Sequence, residues 1–386
     1  MNKTSNVKAI NKASILQTIY KEQSMTKSQL ASALGLTIVT INNLVAELVD
    51  SGICIETGNI SNGGRKAAVY GINNEYGCII GLNLTRTEII CSVYDVSLNE
   101  VLPRVTVKND ILDVITSLDC IKSMLRDTIK KLSGNNILGI GLTIPGRASD
   151  EGLIINIPDY PQWNSVDIKS ALSDITETPI YVDNDVNAML LSSKWTGLIG
   201  DADSFVYLQT DDGLGAGFMF RKRIFYGSNN QGCEIGHISI SPDGPLCRCG
   251  RRGCLQAYIG KEELLRRIGK SGRSDIRGID DAIIACKNGD SEILNAFIET
   301  TSYICMAIRD AVMLFDPELI ILQNQWMNQI PELFSYAQKT IYDSKTDRDG
   351  LPVRPKLAIT LNRSKKVAES AASCIVLNKV LRHFEE

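Results

Sequence analysis

Near the start of the chain, apolar positions recur at intervals of three and four in three segments of helix length, 10–20, 26–34 and 37–51. The second opens on Thr26, carries Leu30, Ala31 and Leu34 on one face and stops at Gly35. The third opens on Thr37 and repeats Ile41, Leu44, Val45 and Leu48. Two short helices joined through a glycine turn predict a helix-turn-helix. Past Gly52 the period becomes that of a strand at 53–56 and again at 67–72, around a polar turn at 57–65, which predicts a wing. From Gly77 onward strands alternate with helix: 78–84, 88–94, 101–107, a helix over about 111–132, then 137–144. Consecutive strands followed by a crossover helix predict an α/β layer fold. Pro145 and Gly146 end the last strand at its carboxyl end, where such folds place ligands, and a short strand at 180–183 feeds a helix near Val186 through Asn184, Asp185 and Asn187. Asn184 and Asp185 also suit a plain helix N-cap. Periodic helices at 291–314 and 365–384 offer apolar faces either to a second copy or to the core.

Charge sharpens the picture of the head. The 386 residues, 44% hydrophobic, suit two or three domains and carry a net −3. Residues 1–74 nevertheless hold seven cations against four carboxylates, a net +3 that leaves the remainder at −6. A basic head on an acidic body suits a module for double-stranded DNA. Thr37, Thr40, Asn42 and Asn43 near the start of the third helix present small polar groups for bases and phosphates, and Gly64, Arg65 and Lys66 give the wing tip a pliable backbone with two cations. The competing reading is a helical hairpin that only packs on a partner protein. With no run of 18 apolar residues and no leader plan, the chain is expected to be cytoplasmic and to have no membrane partner.

Eleven cysteines in a reducing compartment call for metal only where they cluster. They cluster once. His237, Cys247, Cys249 and Cys254 supply one imidazole and three thiolates, the closed set that structural Zn²⁺ prefers, with glycines between them for tight reversals. The competing reading is a group of ordinary unmetallated thiols.

The segments Gly141-Leu142-Thr143-Ile144-Pro145-Gly146, Asn156 with Trp163, VDNDVNA at 182–188, CEIGH at 233–237 and CRCGRRGCLQ at 247–256 resemble the family of repressors, open reading frames and sugar kinases known as ROK. The resemblance spans essentially the whole chain and points to the sugar-responsive repressor branch. It implies an α/β protein with an N-terminal winged helix-turn-helix followed by a two-lobed, actin-like (ribonuclease H-like) ATPase/sugar kinase fold. The expected domains are a head at 1–74, a small lobe at 75–190 completed by 365–386, and a large lobe at 191–364 holding the zinc loop. It also implies a sugar in the cleft and a homodimer or dimer of dimers. By motif match Asn184 and Asp185 resemble the sugar-binding pair, with Asp185 at the position that serves kinases as base. Glu234 and His237 match further sugar contacts, and Gly146 and Asn156 line the same cleft. Gln256 stands where many members have Glu, which leaves the choice of sugar open.

Three departures set the chain apart from the kinases of that family. After the first strand the sequence reads Asn83-Leu84-Thr85-Arg86-Thr87 in place of an acid, paired glycines and Thr. At the second phosphate loop Asp211 and Asp212 precede Gly213, and a carboxylate about 4 Å from a phosphate oxygen costs roughly 4 kcal/mol at an effective dielectric of 20. In place of the glycine run against the nucleoside stands Gln323-Asn324-Gln325-Trp326. The expectation is a non-catalytic, sugar-responsive DNA-binding regulator of carbohydrate metabolism. The alternatives are an ATP-dependent hexose kinase carrying a DNA-binding head, and a constitutive DNA-binding protein whose cleft is purely structural.

Overall fold

The computed structural model of the chain describes residues 3–61, 66–211, 213–230, 232–270, 272–273, 275–342 and 358–382. The head comprises α1 (Lys3–Glu22), β1 (Ser24–Thr26), α2 (Lys27–Leu34), α3 (Ile38–Asp50), β2 (Cys54–Ile60) and β3 (Ala67–Ile72). Thr26 starts α2 with a reciprocal cap: its hydroxyl accepts from the Gln29 N–H at 3.2 Å while Gln29 Oε1 accepts from the Thr26 N–H at 2.8 Å. Gly35, at φ 64°, ends it. α1 packs on α3, with Ile15, Leu16 and Ile19 buried on one helix and Ile41, Leu44, Val45 and Leu48 on the other. α1 begins seven residues before the apolar repeat does, because its opening turns carry mostly polar residues that give no periodic signal. β2 and β3 form the antiparallel pair expected of a wing, and β1 adds a third strand on the far side of β3.

The body repeats one plan. In the first sheet β4 (Cys78–Leu84), β5 (Glu88–Asp95) and β6 (Glu100–Lys108) run as an antiparallel meander. α4 (Val114–Lys131) crosses over to β7 (Ile137–Ile144), and after the hairpin β8 (Arg147–Ala148) and β9 (Ile154–Asn156) and the short α5 (Ile168–Leu172), β10 (Ile180–Asn184) leads into α6 (Asp185–Trp195). The order is β10-β7-β4-β5-β6, with β4, β7 and β10 parallel. The second sheet begins with the meander β11 (Phe205–Gln209), β12 (Gly215–Phe220) and β13 (Arg223–Ile224). It continues through α7 (Gln256–Ile259), α8 (Lys261–Lys270), α9 (Ile279–Lys287) and α10 (Ser291–Phe315) to β14 (Leu319–Gln323), then α11 (Gln325–Gln329), α12 (Pro331–Tyr342) and β15 (Ala358–Leu361). Its order, β13-β12-β11-β14-β15, has the same sense, with β11, β14 and β15 parallel. A meander extended by two parallel crossovers, built twice, is the ribonuclease H-like plan of the actin-like folds.

Residues 1–198 and 368–386 form one compact unit and 199–367 the other. α13 (Lys365–Arg382) belongs mostly to the first, where Ser370 Oγ meets Ser192 Oγ of α6 at 3.0 Å and Glu369 pairs with Arg104 of β6 at 2.9 Å. Ile80, Leu82, Ile140, Leu142 and Trp163 centre the core of the first unit, and Phe297, Ile304, Ile320, Leu322 and Trp326 that of the second. No single described helix is long and apolar enough to cross a membrane.

Candidate functional site

In the first unit the carboxyl ends of β4, β7 and β10 lie side by side, since Asn83 pairs with Thr143 and Ile144 with Asn184. This edge collects several of the residues expected to meet a ligand. Asn184 Nδ2 donates to the Gly146 carbonyl at 2.9 Å. Gly146 in turn must be glycine, because a Cβ there would stand 2.2 Å from the Asn156 carbonyl oxygen. Gly146, Asn156 and Asn184 are thus locked together. Asn184 also caps α6, its Oδ1 accepting from the N–H groups of Val186 and Asn187 at 2.9 and 3.3 Å. The helix-cap reading of Asn184 is therefore realised, and the cap sets the direction of Asp185.

Asp185 is the unusual group. It accepts the Val186 N–H at 2.9 Å, yet burial pushes its carboxyl up to about 6, against the Val186 N–H and the Arg86 guanidinium, which both favour the charged form. Arg86 follows β4 at the same edge and is half-buried. The sequence marks it only as an obstruction to a phosphate loop; its nearness to Asp185 arises from strand register. Asn83, which stands where the kinases carry an acid, accepts from the Thr143 hydroxyl at 2.8 Å.

In the second unit His237 closes a short 3₁₀ turn, Ile235–His237, and faces the loop bearing Cys247, Cys249 and Cys254. The four ligand atoms lie within 4.8 Å of one another. Cys249 and Cys254 sulfurs are 3.6 Å apart, and Cys247 Sγ is 3.7 Å from His237 Nδ1. A tetrahedron with metal–sulfur bonds of about 2.3 Å has edges of about 3.8 Å, so the donor set is arranged to hold a metal ion. The loop is pinned by Cys247 N–H to Arg251 O at 2.7 Å and by Gly253, whose φ of +70° and 1.6 Å approach of Ser241 O to a Cβ site exclude any side chain. Burial works against the thiolate of Cys249, but hydrogen bonds from the Arg251 backbone and side chain bring it down to about 6; burial pushes Cys254 up to about 12.

Glu234 and Gln256, also expected at a sugar, gather round this cluster. Glu234 Oε2 lies 3.9 Å from His237 Nε2, the ring nitrogen turned away from Cys247. Gln256 donates its amide to Cys247 Sγ at 3.4 Å, a contact that no sequence motif announces.

The segments that would cradle a nucleotide are stitched to each other. Asp211 accepts the backbone N–H of Gln325 at the start of α11 at 2.6 Å, and Gln325 Nε2 donates to Asp280 at 3.1 Å. Asn324, fully buried, donates to Thr210 Oγ1 at 2.9 Å. Beside them Asn362 Nδ2 donates to Gln323 Oε1 and Tyr207 Oη at 2.9 and 3.0 Å. Asp212 lies outside the described residues.

In the head, Thr37 is the N-cap of α3, its hydroxyl accepting from the Thr40 N–H at 3.2 Å and meeting Thr40 Oγ1 at 2.9 Å. Asn42 and Asn43 are exposed on the outer face, and Lys66 is exposed where the wing tip enters β3. Gly64 and Arg65 lie outside the described residues.

A winged helix-turn-helix, two ribonuclease H-like sheets and a His-Cys₃ loop define a protein of the sugar-kinase and regulator class. The ROK family model matches residues 79–347, and the chain belongs to that family. The xylose repressor of Caldicellulosiruptor bescii is 29% identical over 338 residues, 83% of this chain and 84% of that one. The DNA-binding transcriptional dual regulator NagC of Escherichia coli is 24% identical over 338 residues, 83% and 81% of the two chains. Among solved structures, a ROK family transcriptional regulator, homolog of the E. coli MLC protein, matches with a TM-score of 0.82 at 22% identity, over 98% of both chains.

Proposed function

We propose that this protein is a sugar-responsive, DNA-binding transcription regulator, a repressor of carbohydrate genes that acts in the cytoplasm as a homodimer or dimer of dimers. The regulator names of relatives matched over more than four fifths of their length support the class. The observation that carries the rest is the contrast between the two halves of the ancestral chemistry. Asn184 and Asp185 stand at a strand end, where the carboxylate has a raised pKa, whereas the segments expected at a nucleotide hydrogen-bond to one another. Asp185 accepts a sugar hydroxyl, with Gly146, Asn156 and Asn184 shaping its surroundings; by motif match Glu234, His237 and Gln256 are the second unit's candidates for sugar recognition. His237 Nδ1 and the thiolates of Cys247, Cys249 and Cys254 hold a structural Zn²⁺, which contributes a rigid loop and no chemistry. Thr37, Thr40, Asn42 and Asn43, with Gly64, Arg65 and Lys66 of the wing, face double-stranded DNA.

Asp211 puts a carboxylate in the second phosphate loop, and its bond with the Gln325 N–H ties that loop to the segment standing in place of the nucleoside's glycine run, which supports a regulator without kinase activity. A thermal-shift screen of the purified chain tests this reading, using monosaccharides, phosphosugars and N-acetylated sugars with and without Mg-ATP. The expected result is a rise in Tm with one sugar group, lost in Asp185→Ala, and none with Mg-ATP alone. Sugar-dependent consumption of ATP would instead establish the kinase.

A further inference from the structure

The outward face of α3 has a composition that neither folding nor solubility explains. Its inner positions, Ile41, Leu44, Val45 and Leu48, are buried in the head. Its outer positions are Ile38, Val39, Asn42, Asn43 and Ala46, and all five are exposed, Ile38 by 45% and Val39 by 64%. From Ile38 through Ala46 the helix has no ionisable group. A solvated helix face ordinarily carries charges. β-branched residues are moreover weak helix formers, so Ile38 and Val39 add nothing to helix stability. The first charge after them, Glu47, is turned toward α1, where Lys8 and Lys12 both reach it at 2.7 Å. The outer face is left with methyl groups and carboxamides.

The cap divides the polar groups of this helix into two kinds. Thr37 and Thr40 satisfy each other and the helix start. Among the described residues, the Asn42 and Asn43 carboxamides make no hydrogen bond within the protein. In the major groove a carboxamide pairs with N6 and N7 of adenine, an apolar side chain packs on the C5-methyl of thymine, and guanine is read by Arg or Lys. Adenine and thymine readers are both present on this face, and a guanine reader is not.

We infer that α3 reads A·T pairs in the major groove, with Asn42 and Asn43 on adenines and Val39, flanked by Ile38, on thymine methyl groups. Val39 is thereby a specificity-determining residue. The inference rests on the DNA-binding reading given above and adds the chemistry of the sequence it selects. Burial of one methyl group corresponds to about a fourfold change in affinity.

The test uses the full chain to select duplexes from a random pool, followed by affinity measurements on the selected site. Each thymine of the half-site is then replaced by deoxyuridine, which removes only the methyl group, for wild type and for Val39→Ala. Val39 is exposed, so the variant folds. The expected half-site places A·T pairs under α3. One or two deoxyuridine replacements weaken wild-type binding about fourfold each, and Val39→Ala, which removes two methyl groups, binds the thymine duplex about four- to fifteenfold more weakly with no further loss at one of those positions. G·C pairs at the α3 positions would overturn the inference. So would deoxyuridine penalties of equal size in both proteins. Both results leave DNA binding itself intact, whereas a pool in which no sequence is enriched removes the DNA-binding reading and this inference with it.

Discussion

Asp185 shows at the scale of one residue how a buried carboxylate weighs on stability. Its raised pKa means that the folded chain holds this proton more tightly than the unfolded chain does. The associated stability is therefore complete below the unfolded value near 4 and is lost as pH rises through about 6. At neutral pH an ionised Asp185 weighs against the fold. Asp185→Asn should raise stability at pH 7 by about 1–3 kcal/mol, and the gain should vanish at pH 4. Denaturant titrations at the two pH values check this, and an equal gain at both would show that burial does not set the pKa. The residue scale also marks the limits of legibility. The positions of Asn184, Asp185 and the His-Cys₃ set follow from motif spacing along the chain. The proximity of Arg86 to Asp185 and the closure of Asp211 on Gln325 join segments far apart in the chain, which the sheets bring together, while the contact of Gln256 with Cys247 depends on the path of the loop between them.

Among the elements, α6 has the most consequential placement. Asp185 opens it and Trp195 closes it, and an 11-residue helix spans about 16 Å. At the far end the Tyr20 ring of α1 meets Trp195 edge-on, with centroids 5.2 Å apart. One rigid element therefore runs from the proposed hydroxyl acceptor to the head. A ligand that shifts α6 shifts the seat of α1, through its different affinity for the two arrangements. Tyr20→Leu, which keeps apolar volume but removes the ring contact, should leave sugar affinity nearly unchanged and reduce the effect of sugar on operator affinity to less than about a third. Calorimetry and fluorescence anisotropy separate the two quantities, and an undiminished effect would rule out this route. The metal loop makes a second prediction at this scale. Cys254→Ser removes one of four donors, so metal analysis should find zinc in the wild type and little in the variant; equal occupancy in both would contradict the proposed ligand set.

The elements themselves divide by the kind of signal that reveals them. α2, α3 and the strands β4, β5 and β7 have strong periodicity or clear caps and are legible from sequence. β1, β8 and β9 have two or three residues each and exist only because a partner strand lies beside them, as Met25 lies opposite Tyr70. Their pattern in sequence is too short to carry a period.

For the whole molecule, the duplicated sheets give the two edges separate chemistry. The edge of β4, β7 and β10 carries Asp185 and Asn184, the proposed sugar contacts, while the corresponding edge of β11, β14 and β15 carries the hydrogen-bonded residues Tyr207, Thr210, Gln323, Asn324 and Asn362. The second edge satisfies its own polar groups, which fits the proposal that the protein responds to sugar binding without phosphoryl transfer.

The most direct measurement is the affinity of the full chain for its selected operator, by fluorescence anisotropy at fixed salt, with and without the sugar that raises its Tm. A change of about fivefold or more that disappears in Asp185→Ala is predicted, within the usual range of allosteric coupling. Equal operator affinity with and without a saturating sugar would contradict the account.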